Sequence, residues 1–256
     1  FASPPEPLMA QRHTLRVLVV ADPAEDAPLQ GAEAEGIAVA ELFERFNALP
    51  PAPGRPHVRF KVTRLFGPCR ATRTDVLREL SVRPYDVLHY AGHCYFNKEQ
   101  PSLSGWIFNA KDKEILSANE LQRIDRVPRF VFSNACESGI TPDRSEDRTA
   151  ELAPSFAEAF FKQGVANFVC TAWPVGDVAA LSFARTLYAE LLGLELGSDL
   201  KTCARKVAGP APMYRAMQRA RQVVAATGDG RKTWGAYQHY GNPYFQLLQA
   251  LQSGPC

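Results

Sequence analysis

The chain is predicted to fold as an α/β protein, a three-layer sandwich whose central, mostly parallel sheet carries helices on both faces. Three observations lead there. Short apolar runs alternate with helix-length amphipathic segments through most of the sequence. That alternation calls for parallel strands joined by right-handed crossovers. Runs such as Phe130–Phe132 are continuously apolar, as strands covered on both faces are. Finally, 256 residues with 46% hydrophobic content suffice for one sizeable core.

Taken in order, Phe1 to Gln11 is Pro-rich and unpatterned. Residues 1–14 read as a linker or extended arm and residues 15–256 as a single domain. The opening Phe1, in place of Met, suggests an excerpt of a longer protein or a processed product. Leu15–Ala21 is a first buried strand. A helix follows from Gly31 through Phe46, with Ile37, Ala40, Leu42 and Phe43 as its apolar face. Pro50, Pro51, Pro53 and Pro56 stop it in a loop. Val58–Leu65 is a second strand. The stretch from Ala71 starts a hydroxyl-capped helix with Val76, Leu77 and Leu80 inward. Asp86–Ala91 is a third strand ending at Gly92-His93. Residues 105–109 and 114–116 form a hairpin around Lys111–Lys113, and Ser117 with Glu120 makes a capping box.

Phe130–Cys136 is the fourth strand, after which Thr141–Glu151 is polar and charged. Pro154–Gln163 is a helix, Ala166–Ala172 a fifth strand, and Ala179–Leu192 a long helix. Gly193–Pro212 is loop or short helix, Met213–Ala226 another helix, and Trp234–Tyr240 a last short strand.

Bulk numbers remove several function classes. A formal net charge of +2 gives no electrostatic footprint for nucleic acid or an anionic membrane. No apolar run is long enough to span a bilayer. Cys69, Cys94, Cys136, Cys170, Cys203 and Cys256 are scattered, with no C-x-x-C pair and no metal-ligand spacing to the five histidines. That usage suits a reduced, cytoplasmic setting. No glycine-rich phosphate loop follows the first strand, which argues against a nucleotide-binding domain.

The chemistry concentrates at two strand ends. In open α/β sheets, ligands meet the carboxyl ends of strands. His93 and Cys136 are expected just past the ends of consecutive parallel strands, and so at one sheet edge. A cysteine needs a base or a neighbouring cation to become a thiolate at neutral pH, and imidazole is the usual partner. Cys136 would attack a carbonyl and His93 would protonate the leaving amine. The oxyanion would fall near the backbone N–H groups of Cys94 and Cys136. Gly92 and Gly139 would leave room for a substrate backbone.

These residues carry a resemblance. Tyr85-Asp86-Val87-Leu88-His89-Tyr90-Ala91-Gly92-His93 resembles the histidine motif of the CHAT family, caspase-like peptidases often attached to tetratricopeptide repeats. Ser133-Asn134-Ala135-Cys136-Glu137-Ser138-Gly139 resembles its cysteine motif. Gly164–Asp177 is similar to the segment that follows, and Gly31–Glu35, Ala71-Thr72 and Trp234–Tyr237 extend the likeness over nearly the whole chain. The resemblance implies a caspase–hemoglobinase-like fold and a His93–Cys136 dyad without cofactor or metal. It also implies a protein substrate and an upstream tetratricopeptide-repeat or sensor module, in a bacterial defence or signalling pathway. Related histidines are commonly followed by glycine, whereas here Cys94 follows.

Other readings stand beside these. A CHAT domain acting as a signalling or scaffold module would use the same cleft without hydrolysis. His93, Cys94 and Cys136 could ligate a metal by type, but no fourth ligand is evident. His89 reads as a core histidine or a support for the site, Cys94 as a cleft wall and Cys170 as core. Asp177 either caps the helix after it or, by analogy with related peptidases, borders the pocket for the residue before the scissile bond and favours Arg or Lys. Glu137 faces that pocket or solvent, and Trp173 walls it or fills the core edge. The Asp143–Arg148 run is a solvated loop, or a segment reordered on activation.

Overall fold

The structure is a computed structural model. It describes residues 14–51, 58–95, 97, 99–100, 103–112, 114–121, 124, 127–136, 160–162, 164–197, 203–227 and 233–248, with backbone alone at positions 118 and 136. The Pro-rich arm, most of the proline loop, Glu137, Gly139, the 141–151 segment and Cys256 lie outside these residues.

The first parallel unit comprises β1 (Thr14–Ala21), α1 (Gln30–Ala48), β2 (Arg59–Phe66), α2 (Arg73–Val82) and β3 (Val87–Tyr95). The hairpin β4 (Gly105–Asn109) and β5 (Glu114–Ser117) and the short α3 (Ala118–Leu121) follow. The second half comprises β6 (Phe130–Cys136), β7 (Asn167–Thr171), α4 (Asp177–Leu192), β8 (Leu194–Leu196), β9 (Cys203–Arg205), α5 (Met213–Ala225) and β10 (Tyr237–Gly241). The main sheet has the order β10-β7-β6-β3-β1-β2, with β4 and β5 attached beside β3. Its β2, β1, β3, β6 and β7 neighbours are parallel, and β10 closes the edge antiparallel to β7.

Strand parity divides the interior into two cores. Val17, Val19, Val87, Phe130 and Phe132 point to the face covered by α1, α4 and α5, where they meet Phe43, Leu187, Tyr188 and Met217. Leu18, Val20, Leu88, Tyr90 and Val131 point the other way, to Val76 and Leu80 of α2 and Trp106 and Leu116 of the hairpin. Both layers arise from the period of two along each strand. Thr72 caps α2 as expected, its hydroxyl accepting from Asp75 N at 3.1 Å. At α3, Glu120 Oε2 accepts from Ser117 N at 3.0 Å, the backward half of a capping box.

Four expectations are corrected. First, β3 does not end at Gly92-His93 but continues to Tyr95, because β4 supplies an antiparallel partner for Cys94 and Tyr95. Second, Ile37 is 37% exposed. Ala40, Leu42 and Phe43 are buried as expected, and the buried side of α1 also takes in Ala32, Glu35, Gly36, Val39 and Phe46, Glu35 finding a polar partner inside in Asn134. Third, residues 193–212 contain the β8–β9 hairpin; its three-residue strands are too short to show a period. Fourth, the last strand begins at Tyr237 and pairs with β7 only from Thr171 back to Asn167.

Candidate active site

The site is set by the ladder between β3 and β6. Its register runs from Val87↔Phe130 through Ala91↔Asn134 to His93↔Cys136. His93 and Cys136 are therefore direct partners inside the paired region, rather than residues past two strand ends. His93 shares its parity with Val87, His89 and Ala91, the parity of the α1 face.

His93 is 5% exposed. Its Nε2 lies 2.8 Å from the carbonyl oxygen of Ala27. A carbonyl can only accept, so Nε2 carries the hydrogen and Nδ1 of the neutral ring carries the lone pair. Nδ1 is then the atom able to take a thiol proton. A carbonyl acceptor at Nε2 also suits a ring that carries a second hydrogen.

Behind the histidine, the Tyr90 hydroxyl donates to His93 O at 2.8 Å and lies 3.2 Å from Ile107 O. Burial holds the Tyr90 hydroxyl well above its ordinary pKa, so it remains a donor. Its ring stacks on Trp106, centroids 4.5 Å apart, and Trp106 Nε1 donates to Ser133 Oγ at 2.9 Å. Gly92 serves this arrangement. A Cβ there would lie 2.7 Å from the Tyr90 hydroxyl oxygen and 3.1 Å from Pro23 Cδ. The space expected for a substrate backbone over Gly92 is filled from within.

The loop between β1 and α1 carries Ala27. It opens at Asp22, a buried aspartate at φ 48°, whose Oδ1 accepts from Leu29 N at 2.7 Å. Asx side chains tolerate the left-handed region because they bond locally, as here. Asp22 N donates to Ala91 O at 2.9 Å, which starts the loop directly beside β3.

A buried polar network lies under the site on the α1 face. Glu35, 1% exposed, accepts through Oε2 from Asn134 Nδ2 at 2.5 Å. Its Oε1 is 3.2 Å from His89 Nε2, off the line of a good hydrogen bond. His89 Nδ1 is 3.3 Å from the Tyr188 hydroxyl, and its ring stacks on Phe132. The Tyr237 hydroxyl donates to Asn134 Oδ1 at 3.3 Å. Burial first, and the Glu35 charge second, keep the Tyr188 hydroxyl well above its usual pKa.

The remaining predicted residues divide. Cys94 Sγ donates to Ala135 O at 3.3 Å and packs with the Tyr90 core on the opposite side of the sheet. It is not a cleft wall on the His93 face, because adjacent strand residues point opposite ways. Asp177 does not cap α4. Gly176 holds the extended N-cap position, without a side-chain cap bond, and Asp177 is the first helical residue. A Cβ on Gly31 would overlap the Asp177 carboxyl group, which therefore lies against the start of α1 as well. Trp173 is 37% exposed, its ring 3.5 Å from the Cβ position of Gly235. Glu137 lies outside the described residues. Cys170 is buried and its thiol is pushed far up by burial, so it is core. Among the described residues, no group of three or more His, Cys, Asp or Glu could hold a metal ion. None of their helices is long and apolar enough to cross a membrane.

Sequence reasoning missed Ala27, Asp22, Glu35 and Asn134 as parts of the site. A backbone carbonyl leaves no trace in residue type. Glu35 did leave one: an acid among Ala32, Val39 and Phe43 on an apolar stripe.

The sheet order and the strand-end register define a caspase–hemoglobinase-like α/β sandwich. Residues 3–242 match the CHAT domain family, and the chain belongs to that family. Among solved structures it is similar to the Arg-specific cysteine proteinase gingipain R, with 11% identity, a TM-score of 0.51, and coverage of 91% of this chain and 47% of that one. It is also similar to the complex of the RgpB pro- and mature domains of Porphyromonas gingivalis, with 13% identity, a TM-score of 0.52, and coverage of 93% and 48%. The chain thus spans about half the length of the solved chains it matches. A comparison with curated proteins finds no match.

Proposed function

We propose that the chain is a caspase-like cysteine endopeptidase acting on a protein substrate. The single observation that supports this most is the direct pairing of His93 with Cys136, with Nε2 of the histidine engaged by Ala27 O. In this reading His93 Nδ1 takes the Cys136 proton and the thiolate adds to the scissile carbonyl. His93 then gives the proton to the leaving amine, and the acyl-enzyme is hydrolysed by a water that His93 deprotonates. The backbone N–H groups of Cys94 and Cys136 receive the oxyanion. No cofactor takes part.

Asp177 provides the acid for an Arg or Lys before the scissile bond, with Glu137 and Trp173 bordering that pocket. An upstream repeat or sensor module controls the activity in a bacterial defence or signalling pathway. The setting that goes with this reading is a reducing, cytoplasmic one.

A cleavage-site profile on a peptide library tests the assignment. Cys136→Ala should abolish cleavage while the far-UV circular dichroism stays that of wild type, and His93→Ala should do nearly the same, since the two act as one unit. Cleavage retained by Cys136→Ala would overturn the reading. Iodoacetamide at neutral pH should modify Cys136 faster than Cys203. Equal rates, together with no cleavage, would leave a scaffold domain.

A further inference from the structure

We propose that Asp26 is a positioning residue for His93, holding the Ala27 carbonyl against the imidazole by clamping the loop to the tip of the β4–β5 hairpin. This rests on the His93–Cys136 reading above. Asp26 Oδ1 accepts from Ala110 N at 2.9 Å and Oδ2 from Lys111 N at 2.7 Å. One carboxylate thus takes two successive backbone N–H groups, each oxygen with its own donor. Asn109 Oδ1 accepts from Asp112 N at 2.9 Å and shapes the turn that presents them.

The next residue after Asp26 is Ala27, whose oxygen receives His93 Nε2. The contacts close a ring. His93 is bonded to Cys94, Cys94 pairs with Trp106 of β4, and β4 leads to Ala110 and Lys111. Those hold Asp26, and Ala27 returns to His93. On the far side, Ala27 N donates to Ala24 O and Leu29 N to Asp22. The carbonyl is therefore braced from both directions, and the Asp26 brace is anchored just past β4, the antiparallel partner of the end of β3.

The residue type suits the task. Asparagine has one acceptor oxygen where two N–H groups wait, and alanine has none. The N–H of Ala110 foremost keeps the Asp26 carboxyl below its usual pKa. Losing the clamp lets Ala27 O drift from Nε2. The ring then loses the partner that selects the Nε2–H tautomer and supports the imidazolium. That acts on proton transfer and leaves substrate contacts alone.

The test uses the full chain, ¹⁵N-labelled at histidine, with Asp26→Ala and Asp26→Asn. His93→Gln identifies the His93 signals among the five histidines. Wild-type His93 should show a protonated Nε2 and an unprotonated Nδ1 at neutral pH. Asp26→Ala should mix the two tautomers. It should also reduce kcat for peptide cleavage by roughly 10- to 100-fold, inside the about 10²–10⁴ supplied by general acid–base catalysis, with KM little changed. Asp26→Asn, which keeps one acceptor, should fall between. An Asp26→Ala protein with the wild-type tautomer pattern overturns the proposal. So does one that melts earlier but keeps wild-type kcat per folded molecule. If wild type cleaves no peptide, the functional reading fails while the tautomer pattern still decides the role of Asp26.

Discussion

A methyl group added at Gly92 would sit 2.7 Å from the Tyr90 hydroxyl oxygen, in the space through which that hydroxyl reaches His93 O. Gly92→Ala should therefore destabilise the fold by about 1–3 kcal/mol, the usual range for forcing an extra carbon into packed surroundings. Tyr90→Phe alone should cost about 1–2 kcal/mol through two lost carbonyl contacts. Because both changes act through one hydroxyl, the double variant should cost less than their sum. Urea denaturation of all four proteins measures this, and strict additivity would refute the account. At this scale the sequence was legible where a residue type is chemically rare. His93 and Cys136 stood out because few side chains ionise near neutral pH. The purpose of Gly92 is not legible, because the neighbour that fills its space is known only after folding. The parity of Cys94 follows from that of His93 once β3 runs on to Tyr95, and that extension depends on β4, a partner that the residues of β3 do not reveal.

The two helices α1 and α4 meet nose to nose through Gly31 and Asp177. A carboxylate beside two helix N-termini is favourably placed, since unpaired N–H groups and both dipoles favour negative charge there. Gly31→Ala displaces that carboxylate without altering its charge. If Asp177 reads a basic residue of the substrate, Gly31→Ala should raise KM for Arg and Lys peptides several-fold with a smaller change in kcat, as loss of uniform binding does. Steady-state kinetics on matched Arg and Leu peptides checks it. An unchanged Arg preference would reduce Asp177 to a helix-end charge. The other end of α1 is closed by a distant element. Arg205 of β9 donates to Pro50 O at 2.7 Å, and its guanidinium lies 4.3 Å from the Phe46 ring centroid. A cation at a helix C-terminus suits the dipole. The long elements α1, α4 and α5 were readable from their apolar periodicity. The β8–β9 hairpin was not, because three residues complete barely one period and its support comes from a helix more than 150 residues earlier.

Across the whole molecule, stability should be graded from the middle of the sheet outward. β1, β3 and β6 are paired on both sides and covered by both cores, whereas β2 and β10 are edges of the order. Native-state hydrogen exchange should find the slowest amides in the central three strands and faster exchange in β2 and β10. Uniform protection across the sheet would contradict this. The layered fold was legible because its signal is repeated in every strand and helix, so single misread boundaries did not disturb it. The working geometry was less legible because it depends on loop atoms with no pattern of their own. The ladder that pairs His93 with Cys136 has a further consequence. Strand pairing moves only in whole residues, about 3.3 Å each, and an odd step turns every side chain to the opposite face. The sheet can therefore set the separation of the two residues only to the nearest step, as a digital address. Analogue adjustment, in tenths of an ångström, is left to parts outside the ladder such as the 22–29 loop. Strands can then exchange almost any apolar residue of matching parity without moving the address, which is how 11% identity coexists with a shared chain path.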